Sequence, residues 1–174
     1  MKIIGLDLSI TATGVATADD RTFTVRTRAK DGTHRLNVIQ AAIEPVLDGV
    51  DLAVIEGPGR FLGNTGHIIG EVHGAVKALL NANGIQHVAV SPASLKSYAT
   101  GNRSADKVAM IWAAFERGGI KFTDDNECDA WWLRHTGLDR CGQALFKLPA
   151  VQRAFLNKVD WPAGVQLLAA GSAA

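Results

Sequence analysis

Two rhythms of apolar residues alternate along this chain. Residues 2–7, KIIGLD, form a short apolar run that stops at an acid. Thr13 to Ala18 and Thr22 to Thr27 alternate apolar with polar or small residues, and Ala18-Asp19-Asp20-Arg21 between them carries turn chemistry. This pattern predicts a meander of three antiparallel strands. From Leu36 the spacing changes: Leu36, Ile39, Ile43 and Leu47 predict a helix whose last turn Pro45 weakens. Asp51 to Glu56 reads as a buried strand, again ending at an acid. A Gly-rich stretch around Pro58 follows, then a helix through Ile68, Ile69, Val72, Val76, Leu79 and Leu80, closed by Asn83-Gly84. Gln86 to Val90 is a further strand, ended by Ser91-Pro92. Ser104 is the expected N-cap of a third helix with Val108, Ile111, Trp112 and Phe115 as its core stripe. Residues 124–136 predict a fourth helix with an apolar face of Cys128, Trp131, Trp132 and His135. Pro149 to Lys158 suggests one more, and the last residues, Ala169 to Ala174, are small and expected to fray.

Strand–helix–strand connections after a meander favour parallel pairing with right-handed crossovers. The expected fold is α/β: a mixed five-stranded sheet, three antiparallel strands then parallel ones, with helices on both faces. A length of 174 residues fits one domain. With 47% apolar and 20% charged residues, the composition is that of a globular protein and disfavours disorder, coiled coil and repeats. No apolar run is long enough to span a membrane, and Asp7 interrupts the N-terminal run in a way a signal peptide does not. Cys128 and Cys141, about 20 Å apart if they share one helix, are too distant to bridge. A reduced, cytoplasmic setting is expected.

The acids carry the candidate chemistry. If the strands ending at Asp7 and Glu56 are sheet neighbours, their carboxylates meet at one edge. Asp125, Asn126 and Asp129 project from overlapping parts of one helix face. Alone, an acidic helix start is ordinary electrostatics, and a strand-terminal Asp often only caps a turn. Clustered together, carboxylates raise one another's pKa, and a divalent cation removes that penalty. Oxygen ligands of this kind suit Mg²⁺, with Mn²⁺ as substitute. Two such ions would activate a water and stabilise the leaving oxygen of a phosphodiester.

The sequence resembles the RuvC family of Holliday junction resolvases in the RNase H-like superfamily, and more specifically its bacteriophage branch. Ile4-Gly-Leu-Asp7-Leu-Ser with Thr13-Gly14-Val15-Ala16 is similar to the family's first hairpin and its nucleophile-activating Asp. Val54-Ile55-Glu56 matches the second acid. Ser91-Pro92, Lys96, Gly101, Ala105, Lys107 and Val108 resemble the lysine-bearing segment, and Asn126-Glu127-Cys128-Asp129-Ala130 resembles the final acidic motif. The likeness covers roughly residues 1–140, taken as the nuclease domain. Residues 141–174 are taken as a C-terminal helical extension and tail of the same domain, and the tail from Asp139 has no counterpart in the cellular enzymes. A second departure is Asn126, where the family has Asp or His. The resemblance implies a homodimer, without membrane attachment, that binds four-way or otherwise branched DNA. It also implies paired, metal-dependent nicks leaving 5′-phosphate and 3′-hydroxyl ends. Asp7, Glu56, Asn126 and Asp129 would then be catalytic, and Asp7, Glu56 and Asp129 would hold two metals, with Asn126 or Asp125 completing the shell. Phe61 would probe the opened junction.

Net charge is only +1, so no basic coat covers the chain. Charge is nevertheless uneven: Gly57 to Thr123 holds seven basic residues against three acids, and no acid lies between Glu71 and Asp106. Arg60, Lys96, Arg103 and Lys107 in this stretch are the candidate DNA contacts. Lys107 opens its helix, where the macrodipole disfavours a cation; a phosphate at that helix start would explain it, as would an ion pair with a nearby acid. The five histidines show no zinc-ligand spacing. Competing readings are another RNase H-fold nuclease, acting on flaps or RNA/DNA hybrids, and a non-catalytic DNA-binding relative. A sugar kinase or actin-like ATPase needs two such lobes and a longer chain.

Overall fold

A computed structural model describes residues 1–57 and 65–165. Strands β1 (Ile3–Asp7), β2 (Ala12–Ala16), β3 (Thr22–Arg26), β4 (Leu52–Glu56) and β5 (Gln86–Val90) form one sheet in the order β3-β2-β1-β4-β5. The first three pair antiparallel, and β4 and β5 run parallel to β1. The expected mixed sheet is the observed one. Asp20, at positive φ, makes the turn between β2 and β3, a conformation Asp tolerates better than most residues.

Side chains alternate across the sheet. Ile4, Leu6, Ala53 and Ile55 face one side, where helices α1 (His34–Ile43) and α2 (Thr65–Ala82) cover them with Ile39, Ile43, Val72, Val76 and Leu80. Pro45 ends α1 as expected, its last turn tightening into a 3₁₀ turn over Glu44–Val46. Ile3, Leu52, Val54, Val88 and Val90 face the other side, where α3 (Pro92–Thr100), α4 (Lys107–Gly118) and α5 (Asp125–Arg140) pack. Cys128 and Cys141, at the two ends of α5, are both free thiols.

Helix α5 lies flat across the sheet because two glycines let it. A Cβ on Gly5 would sit 2.0 Å from the Ala130 carbonyl oxygen, and one on Gly14 would sit 2.0 Å from that of Asn126. Nearly every residue of α5 from Cys128 to Asp139 is buried, including Arg134. That guanidinium is satisfied by the carbonyls of Ile3 and Ala18 and by Asp20 at 2.5 Å, as a buried cation requires.

Two expectations from the pattern need correction, and a third, borne out, is incomplete. Ser91-Pro92 does not merely end β5; Ser91 caps α3 by accepting from the Ser94 amide, and Pro92 occupies its first turn, the position where its missing N–H costs nothing. The N-cap of α4 is Asp106, accepting from the Ala109 amide, and not Ser104. The stripe of Val108, Trp112 and Phe115 faces outward, 75%, 56% and 47% exposed, while Ile111 is only partly buried against the core. The inward face of α4 is Met110, Ala113 and Ala114. The reason is volume: Trp131 and Trp132 of α5 already fill this layer, and Trp132 Nε1 donates to the Met110 carbonyl at 3.2 Å. Small residues on α4 let the two helices approach.

Residues 150–158, α6 (Ala150–Arg153) running into a 3₁₀ stretch, pack along α3. Arg153 grips the buried Asp139 carboxylate through Nε at 2.9 Å and Nη2 at 2.5 Å, and the Tyr98 hydroxyl donates to the same group at 3.1 Å.

Candidate active site

Parallel pairing of β1 with β4 matches Leu6 to Ile55, so Asp7 and Glu56 leave the sheet side by side at one edge. Each is the last residue of its strand, after four buried neighbours. The Gly14 contact brings the first turn of α5 over this edge, and Asp129 arrives beside the pair.

The electrostatics of the three acids express their crowding. Burial, then the charges of Glu56 and Asp129, push the Asp7 carboxyl up to about 9, and a hydrogen bond to Glu56 holds the proton on Asp7. Burial also raises Glu56, opposed by that hydrogen bond and by the charge of Lys96. Asp129 is pushed up to about 7 by burial and by Glu56 and Asp125, with Lys96 and Lys107 pulling the other way. The site is therefore short of positive charge, and two lysines supply part of it.

Lys107 forms an ion pair with Asp125 across the α4–α5 gap. This pair, rather than an empty helix start, accounts for a cation in the first turn of α4, and it raises the lysine's pKa. Asn126 is turned elsewhere: its backbone amide and Nδ2 both donate to Asp124 Oδ1 at 2.9 Å. Asp124 also accepts from Arg26 at 2.5 Å. Asp125, not Asn126, is thus the neighbour whose charge reaches Asp7 and Asp129. Lys96 lies on α3 within electrostatic range of the acids, and Arg103 is exposed beyond the end of the same helix. Arg60 and Phe61 lie outside the described residues.

Among the described residues, no three His, Cys, Asp or Glu side chains converge as a ready-made metal cluster. The acids instead satisfy one another: Asp7 binds Glu56, and Asp125 binds Lys107. The donor set nonetheless fits a hard divalent cation, being carboxylate oxygen on half-buried groups whose mutual repulsion an ion relieves.

Reading the sequence missed the two glycines as positioning residues. Gly5 and Gly14 sit mid-strand, where glycine is otherwise unfavourable, and that was the available signal for a close backbone approach.

A sheet of three antiparallel then two parallel strands, crossed by a helix that brings an acid to the ends of β1 and β4, is the RNase H-like fold in its RuvC-like form. A structure of Thermus thermophilus RuvC in complex with Holliday junction substrate matches with a TM-score of 0.68 at 21% identity, covering 82% of this chain and 96% of that one. A second Thermus thermophilus RuvC structure matches with a TM-score of 0.66 at 21% identity, covering 83% and 98%. No family model and no curated protein sequence matches the chain.

Proposed function

We infer that this protein is a divalent-metal-dependent endonuclease that cuts branched DNA, with the four-way junction as its preferred substrate. The observation that carries this is the meeting of Asp7 and Glu56 at one sheet edge, with Asp129 near enough to raise the Asp7 carboxyl and with Lys96 and Lys107 acting on Asp129. The likeness to a resolvase structure holding a junction supports the choice of substrate. Asp7, Glu56 and Asp129 would hold the metal, Mg²⁺ or Mn²⁺ and two per site, with Asp125 the nearer candidate for the fourth ligand. A divalent ion bound there lowers the pKa of a water and offsets charge on the phosphoryl oxygens. Lys96 and Lys107 orient the scissile phosphate, Lys107 exchanging Asp125 for it. Hydrolysis joins a water oxygen to phosphorus and breaks the P–O3′ bond, leaving 5′-phosphate and 3′-hydroxyl ends. A four-way junction presents symmetry-related strands, so a C₂ homodimer is the assembly that makes paired nicks. A phage-encoded enzyme working in the bacterial cytoplasm fits the branch of the family that the sequence resembles.

The test is incubation with a synthetic mobile four-way junction, a flap and an RNA/DNA hybrid in Mg²⁺ or Mn²⁺, with cuts mapped on every strand. Paired nicks in opposed strands of the junction are expected. Preferential cutting of the flap or hybrid would move the assignment to another RNase H-fold nuclease, and metal-independent binding without cutting would make it a non-catalytic relative.

A further inference from the structure

We propose that the C-terminal segment 150–158 builds a second DNA contact, a groove along α3 that holds the phosphodiester backbone of a strand leaving the catalytic edge. This rests on the reading of that edge as a DNA-cutting site. The groove has a volume of about 490 Å³. One wall is α3, from Ser91 and Ser94 at its start to Gly101 at its end; Phe155 and Lys158 form the other, and Arg103 closes the far end.

Its position is set by the sheet. Ser91 follows Val90, which pairs with Glu56, and the Gly57 amide donates to the Val90 carbonyl at 2.7 Å. The groove therefore begins beside the acids. From Ser91 to Gly101 the helix extends about 15 Å at 1.5 Å per residue, enough for roughly four nucleotides of one strand at 3.4 Å each.

Its chemistry is that of a polyanion site. No Asp or Glu lines it, and two cations do. Among the described residues, neither Arg103 nor Lys158 takes part in an ion pair, whereas Lys107, Arg134 and Arg153 all do. Lys158 Nζ lies 4.7 Å from the centre of the Phe155 ring, which steadies the ammonium without neutralising it. The Ser91 and Ser94 hydroxyls, 2.9 Å apart, stand at the catalytic end, where the positive end of α3 adds to the attraction.

The second wall is built, not draped. Arg153 is locked on Asp139, Gln152 and Leu156 are buried, and the Gln152 side chain abuts Gly101 closely enough that a Cβ there would lie 3.1 Å from Nε2. Lys158 is thus carried to the groove by an anchored segment.

The test is fluorescence anisotropy with a labelled four-way junction, in EDTA, from 50 to 200 mM salt. Parent protein is compared with Lys158→Ala, Arg103→Ala, their double variant and Lys2→Ala, an exposed control before the start of β1, at the end of the sheet opposite the acids. Melting temperatures establish that each variant is folded; both groove side chains are exposed. Each groove variant should bind more weakly and lose about one phosphate's worth of salt slope, which makes the parent's loss of affinity over this range about 3.5-fold larger than the variant's. The double variant should lose about two, and Lys2→Ala none. If the parent cuts the junction in Mg²⁺ while both groove variants keep its salt slope, the groove is overturned and the cutting function stands. If the parent neither binds nor cuts branched DNA, both readings fall together.

Discussion

Asp7 and Asp129 differ from ordinary carboxylates because burial and like charge act on them at once. Asp7→Asn, Glu56→Gln and Asp129→Asn should each reduce cleavage by at least ~10²-fold. Junction affinity should stay near that of the parent, since phosphate contacts come from lysines and arginines. Nicking assays beside anisotropy in EDTA decide it, and substantial nicking by any one variant removes that residue from the site. The two neighbours on α5 are distinguished by metal titration. Asp125 reaches the acids electrostatically while the Asn126 amide is spent on Asp124. Asp125→Ala should therefore raise the metal concentration for half-maximal cleavage more than Asn126→Ala does; the reverse order would return the ligand position to Asn126. Sequence spacing admitted both residues, because positions three and four before Asp129 share its face. What distinguishes them in the structure is the capping interaction of Asp124, which spacing does not reveal.

Helices here are placed by close contact more than by stripe. The outward face of α4 makes a direct comparison possible: Trp112→Ser should shift stability by no more than ~0.5 kcal/mol, as at other exposed sites. Met110→Ala, on the buried face, should cost about 2–5 kcal/mol. Thermal or denaturant unfolding measures both, and a large loss from Trp112→Ser would mean that this face is covered. Periodicity detected an apolar stripe on α4 correctly, yet could not know that the tryptophans of α5 had already taken the inward volume. Gly14→Ala tests the crossing of α5 over the sheet. With a Cβ placed 2.0 Å from a carbonyl oxygen, the helix must lift, which should destabilise by at least ~1–3 kcal/mol and lower cleavage through Asp129. Full activity at parental stability would show the contact to be compliant.

At the scale of the molecule, the crowded acids tie the stability of the fold to pH and to any cation that offsets their charge. A carboxyl whose folded pKa lies above its unfolded value stabilises the fold below the unfolded pKa, and that contribution is lost as pH rises through the folded one. Asp129 at about 7 and Asp7 at about 9 place the loss between roughly pH 4 and 9 in the metal-free protein. His135 acts in the opposite sense: burial pushes it down to about 3, so stability falls as pH drops from about 6.5 towards 3. Unfolding of metal-free protein should therefore be easier at pH 8.5 than at pH 6.5, and added Mg²⁺ should stabilise more at the higher pH. A melting temperature that rises from pH 6.5 to 8.5 without metal would contradict the crowding. The assembly is tested by sedimentation: a homodimer of roughly 37 kDa, twice the chain mass of 18.5 kDa, is expected. The expected partner surface is α2, where Ile68 is 36% exposed. A monomer that still makes paired cuts would overturn it.

The strand order, the helices other than α3, the two acid-ended strands and the acidic start of α5 were legible in the sequence because each depends on local pattern: alternation, helical spacing and turn chemistry within a few residues. The mixed sheet followed, since chain order and crossover handedness leave few ways to arrange such elements. Helix α3 was also written locally, in Ser91-Pro92, although that pair equally marks the end of a strand. What tertiary structure alone decided was which partner each group took. Lys107 found Asp125, Arg153 found Asp139, and α4 turned its larger apolar face outward. Each of these outcomes is a competition between groups far apart in the chain for one partner or one volume, and one-dimensional periodicity contains no measure of distance across the fold.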